Sequence, residues 1–399
     1  MLAKQVLRNR RALVVCVLPF SLTIAANALA AGAGQASNAF NPSIGLILNG
    51  TYGQFSKDPS GYAIPGFPLG TGSEPGTRGF SIGESELDIS ANIDPDWFGM
   101  FTYAMASDDT AGVENAYVQT TNLGHGLTVR GGRFFSGIGY LNEQHAHTWD
   151  FTDTALAYRA LLGSQYGDDG IQLRWLAPTD LFTELGAEYF NGNAFPAGGS
   201  ANNGHGAGSA FIHVGDDVGD SHSWRTGLSY LSTRALKRET GDINNPDLFT
   251  GTSKLIIADF VWKWAPHGNP YRQNFKFQAE YLQSDNDGDF TPAGGSATPY
   301  SATPSGWYAQ VVYQFVPRWR VGLRHDQLKP GKPDTAFTGT VLDNAGHTPR
   351  RNSVMIDYSN SEFSRLRLQY NKDESQPVTN NEWFLQYTMS LGAHGAHIF

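Results

Sequence analysis

Apolar and polar residues take turns along most of this chain. In 383–391, Trp383, Leu385, Tyr387, Met389 and Leu391 share one side, and, Phe384 apart, Gln386, Thr388 and Ser390 share the other. Successive side chains of a strand point to opposite faces, so a period of two predicts β-strands with one apolar and one wet face. The pattern recurs. Leu87, Ile89, Ala91 and Ile93 oppose Glu84, Glu86, Asp88, Ser90 and Asn92. Ile256, Ala258, Phe260 and Trp262 oppose Lys254, Asp259 and Lys263; Phe277, Ala279 and Tyr281 oppose Lys276, Gln278 and Glu280. Val311, Tyr313 and Phe315 oppose Gln310 and Gln314; Val321 and Leu323 oppose Arg318, Arg320 and Arg324; Leu366, Leu368 and Tyr370 oppose Arg365, Arg367 and Gln369. About sixteen such segments are predicted, with bounds of roughly fourteen and eighteen. Their connections alternate between tight turns (Asp94-Pro-Asp96, 177–180, Val316-Pro317) and long Gly/Pro/Ser/Asn stretches at 56–79, 192–208, 234–252, 284–305 and 328–349.

In hydrocarbon every backbone polar group must be paired internally, so a membrane-spanning sheet must close on itself. The expected fold is therefore all-β, a transmembrane antiparallel β-barrel whose strands show one face to lipid and one to the lumen. The terminal Phe399 closes the chain with an aromatic, as such barrels do. The first strand pattern begins near Ser43, which leaves no room for a plug domain.

Lys4, Arg8, Arg10 and Arg11 precede an apolar run broken by Pro19, and Ala28-Leu29-Ala30 is a cleavage pattern. Residues 1–30 read as a secretory signal peptide and 31–399 as the barrel. The single cysteine, Cys16, falls in the discarded part. Mean hydropathy is −0.34, which suits strands with half their side chains in water. The 9 Trp and 17 Tyr suit aromatic girdles at the two interfaces. Formal charge is −9, and removing the four bases of residues 1–30 leaves 24 bases against 37 acids, or −13. That balance excludes a nucleic-acid partner.

The segment 136–169 is polar and lacks alternation, and is predicted to fold into the lumen as a constriction loop carrying His145, His147, Asp150 and Asp153. His145, His147 and Asp150 form a donor set suited to a transition metal, with hydrogen bonding inside a folded loop as the alternative. His394 and His397 make a second histidine pair. Asp285, Asp287 and Asp289 resemble the start of a calcium loop, but Ser296 stands where its glutamate would be, so a solvated acidic turn is expected. Predicted pore-lining charges segregate: Glu84, Glu86 and Asp88 early, Arg318, Arg320, Arg324, Arg365 and Arg367 late. Set across one lumen they would create a transverse field; paired with one another they would need no selectivity. No G-x-S-x-G or H-E-x-x-H occurs, so no catalytic residue is assigned and no cofactor is expected.

The blocks 83–95 (GESELDISANIDP), 132–147 (GRFFSGIGYLNEQHAH) and 166–175 (YGDDGIQLRW) resemble a group of proteobacterial outer-membrane proteins. That group is labelled zinc-regulated TonB-dependent outer membrane receptors, or porin-like proteins. A more distant similarity is to the phosphate-selective porins O and P. The resemblance implies an outer-membrane barrel. The expected function is a porin-like channel for small polar or ionic solutes, in contact with membrane lipid and lipopolysaccharide. Assembly would run through the C-terminal strand and the barrel-assembly machinery, with a homotrimer as the oligomer. The alternatives are a receptor or zinc-linked uptake protein, or a barrel hydrolase.

Overall fold

A computed structural model describes residues 42–70, 72–106, 110–242, 244–332 and 335–392. The signal-peptide reading with Cys16, and the tail with His394, His397 and Phe399, lie outside those residues. Sixteen long antiparallel strands, from Ser43–Phe55 to Asn380–Gly392, pair in sequence order, and the last pairs with the first from Gly45↔Gly392 to Phe55↔Glu382. Two short strands, Gly79–Ser81 and Thr298–Ala302, pair alongside the first strand and Asn274–Thr291. Among the described residues the sheet closes on itself, as the hydrocarbon requires. Among the described residues there is no plug domain and very little helix.

The alternation sets the faces. Ile44, Leu48, Leu368 and Leu385 are exposed on the outside, in the same alternation as Leu87, Ile89, Phe277 and Val311, while Ile47, Glu86, Gln278, Val312, Gln369 and Phe384 are buried inside. Aromatic residues ring both ends of the outer face. Trp97, Trp175 and Trp319 stand near the short turns, and Tyr52, Tyr189, Trp307 and Trp383 stand toward the long loops. Trp307 and Phe315 share one strand, eight residue steps apart. At ~3.4 Å per residue and a tilt of ~40°, that is roughly 20 Å of depth, near the height of a membrane's apolar band.

Three neighbouring strands depart from expectation. His222–Thr240, Asp247–Trp264 and Asn274–Thr291 run 19, 18 and 18 residues, through stretches whose composition predicts loops. The expected acidic turn at Asp285, Asp287 and Asp289 is instead strand, with Asp285 opposite Lys254 and Gly288 opposite Gly251. Ladder pairing overrides the weak strand propensity of Asp, Asn and Gly. Beneath this extension Ala235, Phe249, Phe290, Tyr300, Phe337 and Leu342 form a small core of their own.

Val311 faces lipid midway along its strand. Val311→Arg is expected to cost ~2–4 kcal/mol of stability, the penalty for a cation near the bilayer midplane. The check is a denaturant titration in liposomes; an unchanged unfolding midpoint would mean that the outer face is misassigned.

Candidate functional site: a loop clamped inside the barrel

Residues 136–166 join Leu127–Phe135 to Gly167–Leu176 and lie inside the barrel. Their path starts from a closed neck. Asn142 donates through Nδ2 to the carbonyls of Ser136 and Tyr166 (2.8 Å each), and its Oδ1 accepts from the Tyr166 amide at 2.7 Å. Glu280, on the opposite wall, accepts from the amides of Tyr140 and Leu141 at 2.9 and 3.0 Å and from the hydroxyls of Tyr158 and Tyr308 at 2.8 and 2.5 Å. A side chain at Gly139 (φ +67°) would strike Tyr158 and Glu280, so the backbone must approach here without one.

Farther along, Leu156–Leu162 form a short helix in which every residue is buried, ended by Gly163 in the left-handed conformation. Its first amide donates to Asp326 Oδ1 at 2.9 Å. It packs on Leu231, Leu255, Ile257, Leu282, Tyr308 and Leu328 of the inner wall. That wall sector is apolar where a water-filled lumen would be polar.

Between neck and helix the loop is held by charge. Asp153 meets Arg324 and Arg351 at 2.7 Å and Arg159 at 3.2 Å, and also accepts from Gln369 and Asn371. Asp150 meets Lys276 at 2.9 Å and Arg320 at 3.2 Å. Arg365 and Arg367 donate to the carbonyls of His147 and Trp149 at 2.8 and 2.9 Å. Burial pushes the Asp153 carboxyl up, but Arg351, Arg324 and Arg159 outweigh it and hold it well below the usual carboxylate range.

The early acids gather elsewhere on the loop. His145 Nδ1 lies 3.1 Å from both Glu86 and Glu114, and His147 Nδ1 lies 2.8 Å from Glu86. Burial disfavours a charged His145, but Glu86 and Glu114 prevail and keep it protonated well above the ordinary imidazole range. Glu84 contacts Glu114, and Asp88 accepts from Thr102 at 2.6 Å. The structure thus brings His145 and His147 together but places Asp150 with the cations. Acids and arginines do not face each other across the lumen. Only the strands Ser43–Phe55 and Asn380–Gly392 separate Glu86 from Arg365 and Arg367, and His147 touches both groups. Arg318, expected on the lumen wall, is exposed in the tight turn after Pro317 with φ +75°; a register shift between Gln314 and Val316 takes it off the wall.

Toward the short turns the inner wall carries Arg225, Lys263, Lys276, Arg320 and Arg365, all partly exposed. Arg225 and Lys276 stack on the Tyr140 ring at 5.2 and 5.1 Å. Burial raises the Tyr140 phenol, yet Lys263, Lys276 and Arg225 bring it down to about 8. Sequence reasoning missed Glu114, Glu280 and Arg351 as anchors, and Arg225, Lys263 and Lys276 as a group. Lys263 and Lys276 share the polar side of predicted strands, but only the register places them side by side.

No family model matches the chain. An uncharacterized protein of Aquifex aeolicus (strain VF5) is 32% identical over 390 residues, covering 90% of this chain and 80% of that one. The chain belongs to that protein's family. Among solved structures, the trimer form of Vibrio cholerae OmpT, an outer membrane protein, matches with a TM-score of 0.55 at 11% identity, covering 88% of this chain and 99% of that one. The outer membrane channel DcaP of Acinetobacter baumannii matches at 0.52 and 14%, over 88% and 97% of the two chains. An anion-selective porin from Comamonas acidovorans matches at 0.51 and 10%, over 88% and 99%. This chain thus shares the fold of outer-membrane barrels such as these. Nothing in these matches supports the TonB-dependent receptor label.

Asp153→Asn removes the carboxylate that three buried guanidinium groups share, leaving Arg324 and Arg351 with Asp326 alone and Arg159 with no acid among the described residues, and is expected to cost about 3–5 kcal/mol. Because the native carboxyl is depressed, its contribution is complete above the ordinary value of ~3.9 and is lost as pH falls through the native value. The gap between wild-type and variant unfolding midpoints should therefore hold from pH 7 to 5 and close only in stronger acid. A gap that closes between pH 7 and 5 would refute the clamp.

Proposed function

We propose that the protein is an outer-membrane channel for small polar or ionic solutes, narrowed by its own loop, with a modest preference for anions. It is a conduit and not an enzyme, and residues 1–30 are the secretory signal that delivers it to the outer membrane. The observation that carries this reading is a closed barrel of porin size whose lumen holds a loop fixed to the wall, with a cluster of cations beside it. A sixteen-strand barrel encloses an aqueous lumen unless something fills it. Here the loop fills one sector, and solute passes over what remains.

The net charge of −13 does not set the sign of that preference. Charges on outer loops are screened beyond roughly 10 Å at 0.1 M salt. The field is concentrated where the path is narrow and the walls are poorly polarisable. There Arg225, Lys263, Lys276, Arg320 and Arg365 converge, and Asp150 and Asp357 offset only part of their charge. A homotrimer is the assembly we propose, on the likeness to the trimer form of OmpT.

Planar-bilayer recordings in a KCl gradient are the test. The native channel should give a small conductance and a reversal potential on the anion side. Arg225→Glu with Lys263→Glu should move that potential to the cation side, and indifference to both changes would sink the assignment. Removing residues 143–153 should raise the conductance; an unchanged value would show that the loop does not set the aperture.

A further inference from the structure

Four acids of the loop and the neighbouring wall are neutralised directly by cations. Asp150, Asp153, Asp326 and Asp357 each meet at least one Lys or Arg. The cluster around His145 is built differently. Glu84, Glu86, Asp88 and Glu114 converge there, and among the described residues none of them pairs with a Lys or Arg. Among the described residues, two imidazoles stand against four carboxylates. Like charges gathered in a poorly hydrated space are costly unless protons or a cation join them.

The geometry points to a cation. The Nδ1 of His145 and one oxygen each of Glu86 and Glu114 lie within 4.8 Å of one another, and both oxygens are 3.1 Å from the nitrogen. A tetrahedral ion with bonds of ~2.1 Å sets its donors ~3.4 Å apart. Glu86 is 1% exposed, and its Oε2 is buried with the His145 Nδ1 at 3.1 Å as its polar neighbour. Its other oxygen is held by His147 at 2.8 Å. The far nitrogen of His145 is 3.0 Å from the Asn115 side-chain amide. A half-turn of that amide presents its oxygen to an Nε2–H, the outer support that metal-bound histidines require. Imidazole with carboxylates suits a transition metal better than calcium, which takes six or more oxygens.

We propose that Glu86, Glu114 and His145 bind one divalent transition-metal ion of the zinc class, supported by His147 and Asn115. The ion ties the loop to the strands Ser85–Asn92 and Ala111–Thr120. The proposal is independent of conduction, and its readout is binding.

The full chain, refolded in detergent micelles, carries His394→Ala and His397→Ala so that the tail contributes no imidazole. Zn(II) is titrated by calorimetry, Co(II) is followed by its visible absorption, and Ca(II) serves as the control. One Zn(II) per chain, tetrahedral Co(II) bands and no calcium uptake are expected. His145→Ala and Glu114→Gln should each weaken Zn(II) at least ~10-fold, the range in which such shells act. Glu114 is partly exposed, so its isosteric variant keeps the test decisive should the histidine variant fail to fold. Loss of zinc uptake with the tail histidines, equal calcium binding, or unaltered zinc affinity in Glu114→Gln would each overturn the proposal.

Discussion

A backbone amide in hydrocarbon has no water to bond, and the rest of this molecule follows from that constraint. Pairing Ser43–Phe55 with Asn380–Gly392 removes the last two edges of the sheet. Closure fixes which face of every strand meets lipid, and so forces the remaining side chains into one enclosed space. What fills that space is then a second problem. The chain solves it with its own residues 136–166, which carry backbone amides, an apolar helix and acids into the lumen. Each kind of group finds its complement on the wall: Glu280 for the amides, Leu255 and Ile257 for the helix, Arg324 and Arg351 for the acids.

This division explains why the inner arginines do two jobs. Arg324, Arg351 and Arg367 are almost wholly buried, and each is bonded to the loop. Arg320 and Lys276 are held by Asp150 yet keep 15% and 20% of their side-chain surface accessible. The first group fastens; the second faces whatever passes. Buried guanidinium groups are tolerable only with partners in place, so the clamp and the barrel stabilise each other. The acid–histidine cluster sits at the other end of the same loop segment, and its carboxylates meet imidazoles instead of Lys or Arg.

Much of the architecture was legible in the sequence, because period two is imposed by lipid on every strand. The assignment of Leu87, Phe277 and Leu385 to one side needed nothing else. The extent of the strands was less legible. Asp285-Asn-Asp-Gly288 looks like a turn, and only pairing with 251–254 makes it a strand. The interior left a signal that alternation alone passes over: Leu255-Ile256-Ile257, Tyr281-Leu282, Trp307-Tyr308 and Val311-Val312 are apolar on both faces. A strand that is greasy on both sides within a barrel must have something apolar inside it. Which carboxylate meets which arginine was not legible, since those contacts join residues far apart in the chain and depend on register. Glu114 meeting His145, and Arg351 meeting Asp153, are of that kind.

The sequence distances within the clamp also order events in time. The loop's partners lie 170 residues downstream at Asp326 and 216 to 218 downstream at Arg365, Arg367, Gln369 and Asn371. None of these walls exists while the first half of the barrel is forming. The loop therefore carries its acids and its apolar helix undocked until the final strands arrive, and contacts of such long span are slow to form. Closure of the sheet and seating of the loop become one late, cooperative step. A chain stalled before its last three strands would be an open sheet holding an unsatisfied, sticky loop, which is the species that a cell's assembly and quality-control machinery would have to shelter or destroy.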